Sequence, residues 1–100
     1  MADRGDVLKL RSVRVVARGR VQGVGYRAWT KTAATSRGLA GWVRNRRDDS
    51  VEAVIAGEDG SVKAMLAAMR EGPAAANVSA VEVEEWTAET AGAFEVWPTV

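Results

Sequence analysis

Apolar and polar residues alternate in the first part of the chain. Val13, Val15 and Ala17 occupy one side of this pattern, and Arg14 and Arg18 occupy the other. Successive side chains of a strand point to opposite faces, so a period of two predicts a strand with one buried face. The two valines and the alanine are then the residues that face the core.

Two later segments follow the period of a helix instead. Trp29 and Ala33 lie four residues apart, on one face of a helix predicted over residues 26–37. The second helix is predicted from apolar residues at positions i, i+3, i+4 and i+7, which are Val62, Met65, Leu66 and Met69. Either Asp59 or Ser61 is predicted to cap the start of this second helix.

Four further segments carry strand patterns, at residues 42–46, 50–56, 78–86 and 94–97. Asp48 and Asp49 lie between the first two, and both tolerate the left-handed backbone of a tight hairpin. The order strand, helix, strand, strand, helix, strand is the split βαβ pattern. We therefore predict an α+β fold, a ferredoxin-like βαββαβ sandwich with two helices on one face of an antiparallel sheet, plus a short C-terminal strand.

The other face of this sheet is predicted to be charged. It carries Arg14, Arg18, Arg44, Arg46, Glu52, Glu82 and Glu84. Because both signs occur on neighbouring strands, we expect cross-strand ion pairs, each worth roughly a few tenths of a kcal/mol. The run of Glu82, Glu84 and Glu85 is interpreted as solvated carboxylates at a sheet edge and not as a metal site.

The composition narrows the class of protein. The chain has 100 residues, 47% of them hydrophobic, which suits one domain with a real core. We predict a flexible N-terminal extension at residues 1–12 and a single domain at residues 13–98. Cysteine and histidine are absent, which excludes disulfides, thiol nucleophiles, imidazole bases and Cys/His zinc sites. We expect neither a metal nor a cofactor.

Charge and hydropathy bear on the possible partners. The net charge is +1, whereas nucleic-acid binders usually have a larger basic excess. RNA-binding domains of this fold also stack bases on sheet aromatics, and only Trp42 is expected on the open face of a central strand. No apolar run comes close to a membrane span of about 20 residues. We expect a cytoplasmic monomer without nucleic-acid or membrane partners.

A glycine-rich stretch joins the first strand to the first helix. It reads Gly-Arg-Val-Gln-Gly-Val-Gly-Tyr-Arg over residues 19–27. Its glycines ease a tight turn, and N–H groups in such a turn beside a helix N-terminus suit an anion. Arg27 adds a planar, permanently charged fork that can hold two phosphate oxygens. The residues alone leave two interpretations open, a phosphate cradle or a turn without a ligand.

Asn45 is the second candidate for chemistry. It lies near the end of the second predicted strand and shares a face with Val43, so it is predicted to point inward. A buried asparagine needs hydrogen-bond partners for its amide. Two roles remain open: the side chain binds the backbone of the glycine loop, or it holds a water molecule in line with a phosphorus atom.

These two stretches resemble the signatures of the acylphosphatase family. Residues 19–27 are similar to the first signature, and Gly-Leu-Ala-Gly-Trp-Val-Arg-Asn at 38–45, followed by residues 48–52, is similar to the second. The likeness extends over residues 13–97. Asp49 stands where the family often has glycine, and Tyr26 stands where it commonly has phenylalanine. A chain that ends soon after its last strand is expected to be the small, free-standing form.

The resemblance implies an activity and a site. It implies metal-independent hydrolysis of small acyl phosphates to a carboxylate and inorganic phosphate, with Arg27 binding the phosphoryl group and Asn45 orienting the attacking water. The expected phosphate-binding loop comprises Gln22, Gly23, Val24, Gly25, Tyr26 and Arg27. The alternative is a non-catalytic anion-binding or interaction module of the same fold.

Overall fold

The computed structural model describes residues 9–100. The elements are β1 (Leu10–Arg20), α1 (Tyr26–Ser36), β2 (Ala40–Asn45), β3 (Val51–Glu58), α2 (Asp59–Glu71), β4 (Asn77–Glu85) and β5 (Phe94–Val96). The strands form one sheet in the order β4-β1-β3-β2-β5, with α1 and α2 packed against it. The predicted α+β, ferredoxin-like fold is confirmed.

The sheet is antiparallel except at one edge. β1 pairs antiparallel with β3 and β4, and β2 pairs antiparallel with β3. The short strand β5 pairs parallel with β2, with Val96 opposite Val43. This direction follows from the chain path: β4 ends at the end of the sheet where β2 begins, and residues 86–93 cross to the other edge there. A strand that returns from that point runs in the direction of β2.

One face of the sheet forms the core with the two helices. Val13, Val15 and Ala17 of β1 are fully buried on this face, as their alternation predicted. The predicted apolar stripe of α2 is buried as well. In α1 the buried residues are Tyr26, Thr30 and Ala34, while Trp29 and Ala33 lie partly buried at the margin of the core. The buried stripe of α1 is therefore displaced by one position from the predicted one.

Two boundaries differ from the sequence prediction. β1 begins at Leu10, so residues 10–12 belong to the sheet and not to an extension, because they pair with residues 56–58 of β3. Residues 1–8 lie outside the described part of the chain. α2 begins at Asp59 without a side-chain cap. The Asp59 N–H donates instead to the Lys9 carbonyl at 2.8 Å, so a backbone group outside the helix takes the place of the predicted cap.

The open face of the sheet carries the predicted ion pairs. The carboxylate of Glu52 accepts hydrogen bonds from Arg14 Nε at 2.6 Å and from Arg44 Nε at 2.8 Å. Arg18 Nε donates to Glu82 at 2.9 Å, and Arg14 also reaches Glu84. Burial acts to raise the pKa of Glu52, but the two arginines outweigh it, so this pKa lies below its ordinary value. Glu52 is thus a buried carboxylate that stays charged between two cations.

Candidate active site

The glycine turn between β1 and α1 lies at the end of the sheet where β2 also ends. Gly23 and Gly25 have φ values of +73° and +79°, in the left-handed region that favours glycine. A Cβ at either position would meet no heavy atom within 4 Å, so the backbone conformation, and not space, requires glycine there. Gly19 differs, because a Cβ on it would lie 2.4 Å from the Asn77 carbonyl oxygen. It allows β1 and β4 to approach and takes no part in the turn.

The N–H groups of this turn are available to a ligand. Trp29 is the first residue of α1 whose N–H donates to a backbone carbonyl, that of Gly25 at 3.0 Å. Within residues 9–100, no backbone carbonyl accepts a hydrogen bond from the N–H groups of residues 23–28. The start of a helix also carries partial positive charge from the aligned peptide dipoles. This end of α1 is therefore suited to an anion.

Gln22 fastens the turn to the hairpin between β2 and β3. Its Nε2 donates to the Arg46 carbonyl at 2.8 Å and to the Ser50 carbonyl at 2.9 Å. Both amide protons of Gln22 are used in these bonds, so the side chain points to the hairpin and not to the pocket. Sequence reasoning offered Asn45 as the residue that could fix the loop, but the structure gives that role to Gln22.

The hairpin has hydrogen bonds of its own. Asp48 accepts hydrogen bonds from both the backbone N–H and the hydroxyl of Ser50. These bonds lower the pKa of Asp48 to about 2, and Arg46 and Arg18 act in the same direction. Asp49 has a φ of +73°, so an aspartate adopts the left-handed backbone as predicted. The two carbonyls that accept hydrogen bonds from Gln22 therefore belong to a turn with hydrogen bonds of its own.

Arg27 and Asn45 line one open pocket of about 300 Å³. Gly23, Gly25 and Tyr26 of the turn contribute to the same wall. Arg27 forms no salt bridge within residues 9–100, whereas the arginines of the open face are paired. The structure therefore brings together a cation, a helix N-terminus and an amide that the sequence separates into two motifs.

Asn45 is held through its backbone. Its carbonyl accepts a hydrogen bond from the Val100 N–H at 3.1 Å, and the Trp97 N–H donates to the Val43 carbonyl at 2.8 Å. The chain after β5 thus runs alongside the end of β2 and fixes the position of Asn45. Its side-chain amide makes no hydrogen bond with the turn among the described residues. The amide is consequently free to bind a ligand or a water molecule.

The remaining residues of the predicted loop have mainly structural side chains. Val24 packs against the core, and Tyr26 is buried. The Tyr26 hydroxyl donates to the Met69 carbonyl at 2.7 Å, and burial raises its pKa above the ordinary value for tyrosine. The added hydroxyl of Tyr26, relative to phenylalanine, therefore joins α1 to the last turn of α2. At Tyr26 only the backbone N–H is available to the pocket.

Sequence reasoning missed the apolar part of the pocket. Val21, Ala28 and Val96 also line it. Val96 comes from β5, and the parallel pairing with β2 places it opposite Val43, in the pocket that Asn45 also lines. A strand of three residues carries too little pattern for its pairing partner to be read from the sequence.

Two findings concern metals and membranes. Among residues 9–100, no group of three His, Cys, Asp or Glu side chains is placed to hold a metal ion. Instead, Glu82, Glu84 and Glu85 pair with Arg18, Arg14 and Arg11, respectively. No helix in the described part of the chain is long and apolar enough to cross a membrane.

Comparisons with known proteins show the family. A family model described as Acylphosphatase matches residues 13–96. An acylphosphatase of Mesorhizobium japonicum is 58% identical in an alignment 81 positions long, which covers 78% of this chain and 86% of the relative. One of Azorhizobium caulinodans is 53% identical over 89% of this chain and 97% of the relative. The solved structure of an acylphosphatase from Coxiella burnetii has a TM-score of 0.84 and 35% identity, over 88% of this chain and 93% of that one. The chain belongs to the acylphosphatase family.

Proposed function

We propose that this protein is an acylphosphatase that hydrolyses the carboxyl–phosphate bond of a small acyl phosphate, giving a carboxylate and inorganic phosphate. One observation carries the proposal. Arg27, which forms no salt bridge within residues 9–100, lines the same pocket as the glycine turn and the free amide of Asn45. The relatives described above, all named acylphosphatases, support the same reaction.

The phosphoryl group is held at the start of α1. The N–H groups of residues 23–27 would donate to its oxygens, and the Arg27 guanidinium would pair with two of them. Phosphoryl transfer needs mainly correct positioning and electrostatic stabilisation of the equatorial oxygens. A preorganised set of N–H groups with one guanidinium supplies both without a metal ion.

The attacking water is held by Asn45. The Asn45 carboxamide offers both a donor and an acceptor, which can orient a water molecule toward phosphorus, opposite the leaving oxygen. The hydrogen bonds that residues 97 and 100 donate to β2 fix the Asn45 backbone, so its side chain extends from a defined position in the pocket wall. Asn45 is therefore expected to act mainly in the transition state.

The nature of the leaving group explains why the pocket needs no general acid. A carboxylate is a good leaving group and needs no strong general acid. The residues lining the pocket include no carboxylate, histidine or cysteine that could act as a base. We therefore propose that an oxygen of the substrate phosphoryl group accepts the proton of the attacking water.

The test is phosphate release from benzoyl phosphate by the purified protein, measured with and without a chelator. We expect turnover that is unchanged by the chelator and inhibited by added inorganic phosphate. A folded protein that binds phosphate but releases none from benzoyl phosphate would instead support the non-catalytic anion-binding module. Turnover that disappears with the chelator would contradict the metal-independent mechanism.

A further inference from the structure

We infer that Trp97 is a positioning residue for Asn45. Its ring is stacked on Trp42 and holds in place the segment of residues 97–100, which fixes the Asn45 backbone. The inference rests on the proposed function, because it concerns the amide that would orient the attacking water. It adds a residue outside both sequence signatures, and one that does not line the pocket of Arg27.

The segment of residues 97–100 is bound to β2 through its main chain. The Trp97 N–H donates to the Val43 carbonyl at 2.8 Å, and the Val100 N–H donates to the Asn45 carbonyl at 3.1 Å. The side chains of the last three residues of the segment are exposed, so none of them packs into the core. Within this segment, only Trp97 has a partly buried side chain that can hold the chain against the sheet.

Three contacts hold the Trp97 ring. It stacks on the Trp42 ring, with a distance of 4.2 Å between centroids and an angle of 7° between planes. The Arg44 guanidinium lies 4.8 Å from the centroid of the Trp42 ring and 5.8 Å from that of the Trp97 ring. The Trp97 Nε1 also donates to Glu95 at 2.9 Å. Stacking and cation–π attraction both stabilise such an arrangement, so the side chain adds to the hold of the backbone.

The partners of the ring belong to the strand that carries Asn45. Arg44 directly precedes Asn45 in β2, with its side chain on the opposite face of the sheet. Its Nε donates to the buried Glu52 at 2.8 Å, which fixes the guanidinium beside the rings. Without the Trp97 ring, the segment would keep only its main-chain hydrogen bonds at the edge of the sheet. A displacement of about 1 Å in a catalytic group can cost about 10²-fold in rate.

The test separates the chemical step from phosphate binding. We would measure kcat and KM for benzoyl phosphate, and competitive inhibition by inorganic phosphate, in the wild type, Trp97→Ala and Trp97→Phe. Trp97→Phe is the conservative variant, because it keeps an aromatic ring for the stack. Trp86→Ala is the matched control. Trp86 also lies beside an arginine, with Arg14 5.8 Å from its ring, but it follows β4 at the other edge of the sheet.

The expected result is a loss in kcat alone. Trp97→Ala should lower kcat about tenfold and leave the inhibition constant of phosphate within about twofold, since the segment makes no hydrogen bond with the glycine turn among the described residues. Trp97→Phe and Trp86→Ala should keep kcat within about threefold of the wild type. An unchanged kcat in Trp97→Ala, or an equal loss in Trp86→Ala, would overturn the inference. So would a loss of phosphate affinity as large as the loss in kcat.

Hydrogen exchange of the Val100 N–H tests the same contact without an activity assay. It should be faster in Trp97→Ala than in the wild type, because the bond to the Asn45 carbonyl opens more often. Equal exchange rates would overturn the inference. If Trp97→Ala does not fold, Trp42→Ala removes the same stack and should give the same results. If the wild type releases no phosphate from benzoyl phosphate, the proposed function fails, while the exchange rates still decide whether Trp97 fixes Asn45.

Discussion

The arginines of the open sheet face and Arg27 are the same residue type in opposite environments. Arg14 and Arg44 both donate to Glu52, and Arg18 donates to Glu82. Arg27 forms no salt bridge within residues 9–100 and lies beside a helix N-terminus whose N–H groups lack backbone acceptors. Paired charges stabilise a sheet, whereas an unpaired cation next to free donors attracts an anion. The contrast separates residues that serve folding from residues that serve binding.

Exchanging the two kinds of arginine for alanine should give opposite results. Arg27→Ala is expected to lower kcat/KM for benzoyl phosphate about 10²–10³-fold, because a preorganised charge partner of the phosphoryl group is lost. Its thermal stability should change little, since Arg27 has no salt bridge among the described residues. Activity assays and thermal denaturation of the purified variants measure the two effects.

Arg14→Ala is the matched control. It leaves Glu52 with Arg44 as its remaining cation, and we expect a loss of about 1–2 kcal/mol in the free energy of unfolding. The activity of the folded variant should stay within about twofold of the wild type. The distinction between the two environments is wrong if Arg14→Ala loses activity while Arg27→Ala keeps it.

Asn45→Ala separates substrate binding from the chemical step in the pocket. We expect kcat to fall about 10²-fold while KM changes little, because the amide positions water mainly in the transition state. Steady-state kinetics and competitive inhibition by inorganic phosphate separate the two parameters. A variant that keeps kcat and loses affinity would make Asn45 a binding residue instead.

Gln22→Ala tests whether the turn must be fastened to the hairpin. Without the hydrogen bonds to Arg46 and Ser50, the N–H groups of the turn lose their fixed direction, and we expect kcat/KM to fall about tenfold. Gln22→Glu should behave alike, since a carboxylate cannot donate to these two carbonyls. Full activity in both variants would show that the turn holds its shape without Gln22.

The smallest predicted effect is a loss of stability at acid pH. The pKa of Asp48 is lowered to about 2 in the folded protein, from 3.8, chiefly by hydrogen bonds from Ser50. A depressed folded pKa stabilises the protein above the unfolded pKa, and this contribution is lost as the pH falls from about 4 to about 2. Urea denaturation at several pH values should show that the free energy of unfolding falls less steeply with decreasing pH in Asp48→Asn than in the wild type. Asp49→Asn is the control in the same turn, and an equal change in both variants would contradict the assignment to Asp48.

Local patterns predicted the parts of the site that depend on nearby residues. Short stretches of sequence were enough to predict the alternation in β1, the glycines of the turn and Arg27. They also predicted the face of β2 on which Asn45 lies. The fold followed, because the order of the elements limits the possible topologies.

Other features depend on partners distant in the sequence and could not be predicted in this way. The parallel pairing of β5, and hence the position of Val96, depends on the path of residues 86–93 across the sheet. The side chain of Gln22 could have faced a ligand or the hairpin, and only the positions of two carbonyls decide between them. Trp42 was expected alone on the open face, but Trp97 stacks on it at 4.2 Å because β5 is the neighbour of β2.

Direct binding of inorganic phosphate tests whether Arg27, which forms no salt bridge within residues 9–100, holds a phosphate group. Isothermal titration calorimetry would compare the wild type, Arg27→Ala and Arg14→Ala at one ionic strength. We predict at least about tenfold weaker binding for Arg27→Ala, since a hydrogen bond to a charged group is worth about 1.5–3 kcal/mol, and unchanged binding for Arg14→Ala. Equal phosphate affinity in all three proteins would contradict the claim.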